Sequence, residues 1–433
     1  MLIYSSTITP RLNYIAEFSG KETIGKPFEL TDDLSYYQQH KGFKINYSSG
    51  KVEGGEFWIK PGPLLFEEII TEQSIECFEE DGIKFFFKTE GDLPFDIFAA
   101  SFYLISRYEE YLPHKKDMYG RYAYENSLAF KAGFLNQPLI NQWLQLFKKE
   151  LRHKFPSLAI HSPSFTFVPT YDIDIAWAFK GKGFLRTAGG FIRSIFSGDW
   201  QQFTKRLATL TGRQADPFDT YQWLDQLHEK YQLKPHYFFL VAERTGRYDK
   251  NISPGKKALQ RLVKDHCARY PVGIHPSWRS GDEKKLLKAE INTLEQLTGK
   301  KLDSSRQHYI RFTLPETFRR LIDHGIKLDF SMGYGSINGF RASVATPFYW
   351  YDLEKEERSP LLLYPFCYME ANSFYEQHYT PGQASDELNH YYNSVRSVNG
   401  TLIIIWHNHF LGPDKLFTGW KEVYEQFIAK IAK

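Results

Sequence analysis

The chain has 433 residues, a formal net charge of +3 and 17% aromatic residues, with 36 Phe, 28 Tyr and 9 Trp. That length allows a large core and two domains or more, and the near-balanced charge gives no reason to expect nucleic acid or a strongly anionic partner. Cys77, Cys267 and Cys367 are widely spaced and form no C-x-x-C pair, which argues against a cysteine zinc site or a disulfide framework and fits a reducing compartment.

The first stretch, MLIYSSTITPRLNYIAEF, has no basic start and no long apolar block. The longest apolar runs, such as TLIIIW, are far too short to cross a bilayer. A soluble, cytoplasmic protein without a transmembrane segment is therefore expected. Residues 1–160 read as a mixed α+β domain of unknown role. GGEFWIK and IKFFFKTE have strand character, while PFDIFAASFYLISRYEEYL and QPLINQWLQLFKKELRHKF have apolar residues at helical spacing.

From residue 161 to 433 short apolar runs alternate with helical patterns. The strand-like runs are SFTFVPTYD, KPHYFFLVA, PVGIH, HYIRF, IKLDFSMG, LLLYPFCYM and TLIIIWHN. Between them, Ser253 reads as an N-cap with Pro254 at the first helical position, and DEKKLLKAEINTLEQLTG starts acidic and stops at Gly299. Such alternation means parallel strands with helices outside. The expected fold class is α/β: a distorted seven-stranded (β/α) barrel preceded by the smaller α+β domain. Residues 178–215 form a basic, amphipathic insertion after the first barrel strand. It reads either as a lid or membrane-surface helix or as a surface hairpin with solvated Lys and Arg.

The run FTFVPTYDIDIAW, residues 165–177, ends a strand with two acids. Alternation puts Asp172 and Asp174 on one face and Tyr171 and Ile173 on the other. Two carboxylates on one face repel unless a cation or a proton lies between them. In a parallel barrel, chemistry collects at the carboxyl ends of the strands. There the sequence also offers His275 after PVGIH, Arg306 and His308 around HYIRF, Asp329 and Ser331 in LDFSMGYG, and His407, Asn408 and His409 after LIIIW. Carboxylates and several histidines at converging ends make a zinc-type donor set.

These motifs resemble those of the polysaccharide deacetylases, the metal-dependent N-deacetylases of carbohydrate esterase family four. TYDID is similar to the family's T-F-D-D-G, GIHPSWR to the start of H-[ST]-x-x-H, SSRQHYIRF to the arginine motif, and IIWHN to the last motif. DFSMGYGSINGFRASVATPFYWYD is similar to its D-x-S, G-F-R and P-F stretch, and DIFAASFYLISRYEEY to the domain that precedes a bacterial subgroup of the family. The resemblance implies a distorted barrel that removes N-acetyl or similar acyl groups from an amino sugar or polysaccharide. It implies that Asp174 and His275 hold a divalent metal, most often zinc. Asp172 would then be general base, Arg306 its orienting partner and His407 the general acid. Trp278, Tyr334 and Trp406 are candidates to line the sugar site. One position departs from the pattern. Where the second metal histidine is expected, four residues after His275, the chain has Arg279, a fixed cation that cannot ligate a metal. His308 is the best replacement, with His407 and His409 behind it. Arg279 also leaves open a catalytically inactive carbohydrate-binding barrel that has lost its metal, and the acid pair leaves open a glycosidase.

Overall fold

The computed structural model describes residues 1–432. Near the N-terminus, β1 (Leu2–Tyr4), β2 (Glu29–Thr31), β3 (Lys44–Asn46) and β4 (Phe57–Trp58) form a parallel sheet in the order β2-β1-β3-β4. The helix Pro10–Ile24 crosses from β1 to β2. Thr9 caps its start by accepting from the Leu12 amide, Pro10 opens its first turn, and Gly25 ends it with φ of 75°. An antiparallel hairpin follows, β5 (Phe78–Glu80) with β6 (Ile83–Phe85). The helix Ile97–Ile105 is buried along its whole length, and Leu139–Lys154 packs beside it with an apolar stripe centred on Trp143 and Phe147.

The larger sheet comprises β7 (Thr166–Ile173), β8 (His236–Leu240), β9 (Val272–His275), β10 (Ser304–Ser305), β11 (Leu328–Asp329), β12 (Phe348–Asp352), β13 (Glu357–Leu363), β14 (Tyr368–Met369) and β15 (Thr401–His407). Its order is β12-β13-β11-β10-β9-β8-β7-β15-β14, parallel throughout except for β12 on β13. It therefore has nine strands rather than the expected seven. LLLYPFCYM breaks at Pro365 into the end of β13 and the whole of β14, and the aromatic run FYWYD adds an antiparallel edge. Among the described residues no pairing joins β12 to β14. HYIRF is not a strand: β10 ends at Ser305, and His308–Ile310 is a tight turn with Tyr309 and Ile310 in the left-handed region at φ of 58° and 54°. Ser253 and Pro254 also precede their helix, because Gly255 follows and the helix starts only at Lys257.

Register brings the strand ends into line. Trp406 and His407 pair with Tyr171 and Asp172 across β15–β7, and His275 pairs with Leu240 across β9–β8. Close packing fixes this. A Cβ on Gly273 of β9 would lie 2.6 Å from the Phe238 ring and 2.8 Å from Ser304 Oγ, so only glycine lets the neighbouring strands approach so closely. The first 156 residues are tied to the larger sheet by buried ion pairs. Arg341 of the GFR motif donates from Nε to Glu110 of SRYEEY at 2.8 Å, and Arg107 donates to the same Glu110 oxygen at 2.8 Å. Arg11 reaches Glu356 at 2.6 Å. Removing one partner of the buried Arg341–Glu110 pair costs about 3–5 kcal/mol.

Candidate active site

The carboxyl ends of β7, β9, β10 and β15 open on a cavity of about 510 Å³. β7 delivers Asp172 and, one residue beyond its end, Asp174. β9 delivers His275, and the turn after β10 delivers His308. His275 Nε2 lies 3.1 Å from Asp174 Oδ1, and His308 Nε2 lies 3.3 Å from Asp174 Oδ2. Neither approach has hydrogen-bond geometry, and Asp174 Oδ1 is buried without a partner. The other nitrogen of each ring is committed. His275 Nδ1 faces the Arg306 carbonyl at 2.6 Å, and His308 Nδ1 faces Asp249 Oδ1 at 3.0 Å. An imidazole that donates from Nδ1 presents an Nε2 lone pair, the arrangement that metal-ligating histidines adopt. Asp174, His275 and His308 each offer an atom within 4.8 Å of the others. Two donors about 2.0–2.1 Å from a tetrahedral ion stand about 3.3 Å apart; each histidine meets that spacing to a different Asp174 oxygen, and with one atom taken from each residue the three lie within 4.8 Å. The three residues fit a divalent cation.

Burial works against the charge on Asp174, but His308 and His275 outweigh it and hold the carboxyl well below the usual range. Burial also opposes a charged His308, yet Asp174 and Asp249 push its pKa up to about 9. The second aspartate has a separate partner. Asp172 Oδ1 accepts from Arg306 Nη1 at 2.9 Å, and Asp172 Oδ2 faces His275 Nε2 at 3.8 Å. Arg306 is fully buried. It donates to the Phe330 carbonyl at 3.0 Å and to Thr170 Oγ1 at 2.8 Å, and its guanidinium lies 4.5 Å from the Phe238 ring centre.

His407 ends β15 with Nε2 3.5 Å from Asp174 Oδ2. Its Nδ1 is 2.7 Å from Glu370 Oε1, which also accepts from the His407 amide at 2.6 Å. Burial disfavours its imidazolium, but Glu370 overrides this and raises the pKa to about 10. His409 also lines the cavity; burial and His407 lower its pKa to about 3, so it is neutral. Arg279 is not part of the cavity lining; it is 61% exposed and 2.9 Å from Glu283, four residues on.

Of the three aromatic candidates, Trp278 comes nearest the cavity. It stacks on the cavity-lining Tyr248 at 4.0 Å between centroids, beside Tyr119 and Tyr309. Trp406 and Tyr334 do not reach the cavity. Trp406 is fully buried on the opposite face of β15, 4.7 Å from the Tyr424 ring, because the residue before His407 alternates inward to the helices. Tyr334 is buried against Arg341 and Tyr124. Asp329 and Ser331 also stay below the cavity floor, where Asp329 accepts from Ser305 Oγ at 2.7 Å and the Ser331 amide at 2.8 Å. Sequence reasoning missed Asp249, which ends no predicted strand, and Glu370, which follows LLLYPFCYM directly but belongs to no motif. It also missed Tyr119 and Arg121, which the N-terminal 156 residues contribute to the cavity wall. Arg121 Nη1 donates to the Tyr309 carbonyl at 2.8 Å and braces the left-handed turn that aims His308.

A family model described as "Family of unknown function (DUF7033)" matches residues 1–156. No curated protein matches the chain. Among solved structures, the chain is similar to a protein from Mycobacterium smegmatis assigned as a polysaccharide deacetylase, at 13% identity and a TM-score of 0.39, covering 63% of this chain and 88% of that one. It is similar to a CE4 family pseudoenzyme from Bacillus anthracis, at 11% identity and a TM-score of 0.33, covering 63% and 62%. It is also similar to a polysaccharide deacetylase from Bacillus cereus, at 10% identity and a TM-score of 0.29, covering 62% and 88%.

Proposed function

We propose that this cavity is the active site of a metal-dependent hydrolase that removes N-acetyl or a similar acyl group from an amino sugar or polysaccharide. One observation carries the reading. The free nitrogens of His275 and His308 and the carboxylate of Asp174 converge without hydrogen-bonding one another, beside an Asp172–Arg306 pair and a His407–Glu370 pair. Zinc is the ion best suited to two imidazoles and one carboxylate with further positions left open. When bound it supplies Lewis acidity at the acyl oxygen and lowers the pKa of nearby water towards about 7.

The remaining steps belong to the chain. Asp172, pinned at Oδ1 by Arg306, keeps Oδ2 free to take a proton from the attacking water. His407, kept as imidazolium by Glu370, gives a proton from Nε2 to the departing nitrogen. The C–N bond breaks, the acyl carbon gains the water oxygen, and the amine leaves with its electron pair protonated. Tyr119, Tyr248, Tyr309 and Tyr375 give the cavity an aromatic wall suited to the C–H faces of a sugar. In this reading residues 161–433 carry the chemistry and residues 1–160 close one side of the cavity with Tyr119 and Arg121. Arg279 is exposed and paired with Glu283, which supports the reading because its charge is engaged away from the three donors. The test is Asp172→Asn, assayed for acetate release from acetylated amino sugars and oligosaccharides and for bound zinc. Loss of turnover with zinc retained is expected. Full-rate acetate release by that variant, or a wild-type protein that takes up no divalent metal, overturns the reading.

A further inference from the structure

The insertion after Asp174 folds into a helical hairpin, Phe184–Phe196 and Trp200–Leu210, held together by Phe191 against Phe203 at 5.0 Å between centroids. Eight of the fifteen exposed large hydrophobic side chains among the described residues lie between positions 184 and 210. Phe184, Leu185 and Phe196 are 85%, 84% and 88% exposed. At 3.6 residues per turn, positions 184, 185, 188, 192, 195 and 196 share one face of the first helix, and Trp200, Leu207 and Leu210 share one face of the second. Arg186 and Arg193 lie side by side on the polar face of that helix, beyond one edge of the stripe. Between positions 178 and 215 the chain has seven Lys and Arg residues and a single acid, Asp199. Apart from Lys180, 3.8 Å from Asp219, these cations form no ion pair among the described residues.

We propose that this hairpin docks the protein on an anionic lipid bilayer, lying in the interface plane with its apolar stripe among the headgroups. Apolar and aromatic side chains on one face with arginines on the polar face are what such an interface binds. A second copy of the chain is a poorer occupant, since it would set the same unpaired cations against one another. The hairpin is also fixed relative to the cavity. The Asp216 carboxylate clamps its base by accepting from the amides of Ala178, Phe179 and Lys180 at 2.7, 2.9 and 3.0 Å. Arg186 Nη2 reaches the carbonyl of Lys250, a cavity-lining residue, at 3.5 Å. Docking therefore holds the cavity beside the membrane surface. The docking itself does not depend on which reaction the cavity performs.

Flotation of the full-length protein with vesicles tests this, using phosphatidylcholine alone and a phosphatidylcholine–phosphatidylglycerol mixture. Binding to the anionic vesicles, weakened by added salt, is expected. Arg186→Gln and Arg193→Gln should each lower the partition coefficient about fivefold on those vesicles. Leu185→Asp with Phe196→Asp should abolish binding and leave the thermal midpoint unchanged, because both side chains are solvent-exposed. Failure of the wild type to float with anionic vesicles at low salt overturns the proposal. So does a double variant that floats as well as the wild type, or one whose only change is the loss of a dimer in sedimentation equilibrium.

Discussion

Replacing Asp249 by asparagine tests whether His308 is held as a metal ligand. Asp249 Oδ1 accepts from His308 Nδ1 at 3.0 Å and from the Trp278 amide at 2.9 Å. Asparagine keeps the shape and one acceptor oxygen, so the loop contact survives, but the negative charge behind the imidazole is gone. Partners of this kind are worth about 10- to 100-fold in metal affinity, or about 1.4–2.7 kcal/mol. The matched control is Glu290→Gln. Glu290 accepts from the Ser277 amide at 2.9 Å in the neighbouring loop and is not among the three donors. Competition of each variant against a chromophoric zinc chelator above about pH 9, where no proton on His308 competes with the ion, reads affinity, and guanidinium unfolding of the same samples reads stability. Asp249→Asn should weaken zinc binding by tenfold or more, and Glu290→Gln should leave it alone even where both lose stability. If Asp249→Asn binds zinc as tightly as the wild type, His308 is not a ligand oriented by that carboxylate, and the three-donor site fails.

Three further outcomes follow from the geometry. Tyr248→Ala should raise KM for a saccharide substrate with little loss of stability, whereas Trp406→Ala should cost about 3–5 kcal/mol in denaturant unfolding and leave KM alone in the fraction that folds. Arg279→Ala should leave zinc affinity unchanged in the same chelator competition, because its exposed guanidinium pairs with Glu283 and is no part of the cavity lining. Acid should destabilise the fold through buried neutral histidines. Burial lowers His236 to about 3, and His228 and His266 to about 4 each. The unfolded chain then binds more protons than the native one below about pH 6.5. These groups contribute fully above that value, and their contribution falls as pH drops towards 4. Each adds a slope of up to about 1.4 kcal/mol per pH unit. Buried Asp96 and Asp329, raised to about 6, act with the opposite sign over the same range, so the reading is the difference between wild type and His236→Gln, whose guanidinium midpoints should differ in slope by roughly one proton's worth.

The legible parts of this molecule are those where local chemistry decides. β7 and β15 are apolar runs long enough to show their period, and both end on charged residues, so Asp172, Asp174 and His407 stood out with their strand ends. His275 was equally plain after PVGIH. Gly299 and Gly325 stop helices at left-handed φ of 68° and 82°. β10 and β11 have two residues each, too short for any alternation, and the turn carrying His308 depends on left-handed angles at Tyr309 and Ile310 that neither side chain favours. That turn is held by Arg121 from a distant part of the chain, a contact no local pattern encodes. Trp406 shows the converse. An aromatic beside a site residue in sequence lies on the other face of its strand, so nearness in the chain argued for the wrong neighbourhood. Asp249 and Glu370 were invisible for a third reason: an outer partner is defined by the ligand behind which it ends up, and only the folded chain sets that.

The charges around the cavity suggest what a metal must displace. Asp172 is balanced by Arg306, and Glu370 by a protonated His407. That leaves Asp174 and Asp249 facing His308 from two sides, and together they overcome burial and lift its pKa to about 9. Near neutral pH the ion-free protein therefore carries a proton on His308 where an ion would sit, and an imidazolium has no lone pair to give. Metal binding must release that proton. Apparent affinity should rise about tenfold per pH unit between roughly pH 7 and 9 and level off above, the direction expected for a ligand that has to deprotonate. Calorimetric titration with zinc in two buffers of different ionisation enthalpy should count close to one released proton near neutrality, and His308→Ala should weaken binding and remove that proton. A wild-type count of zero would mean that the ring is neutral before the ion arrives, so that the two flanking carboxylates do not set its charge, and the electrostatic account of the site would have to be abandoned.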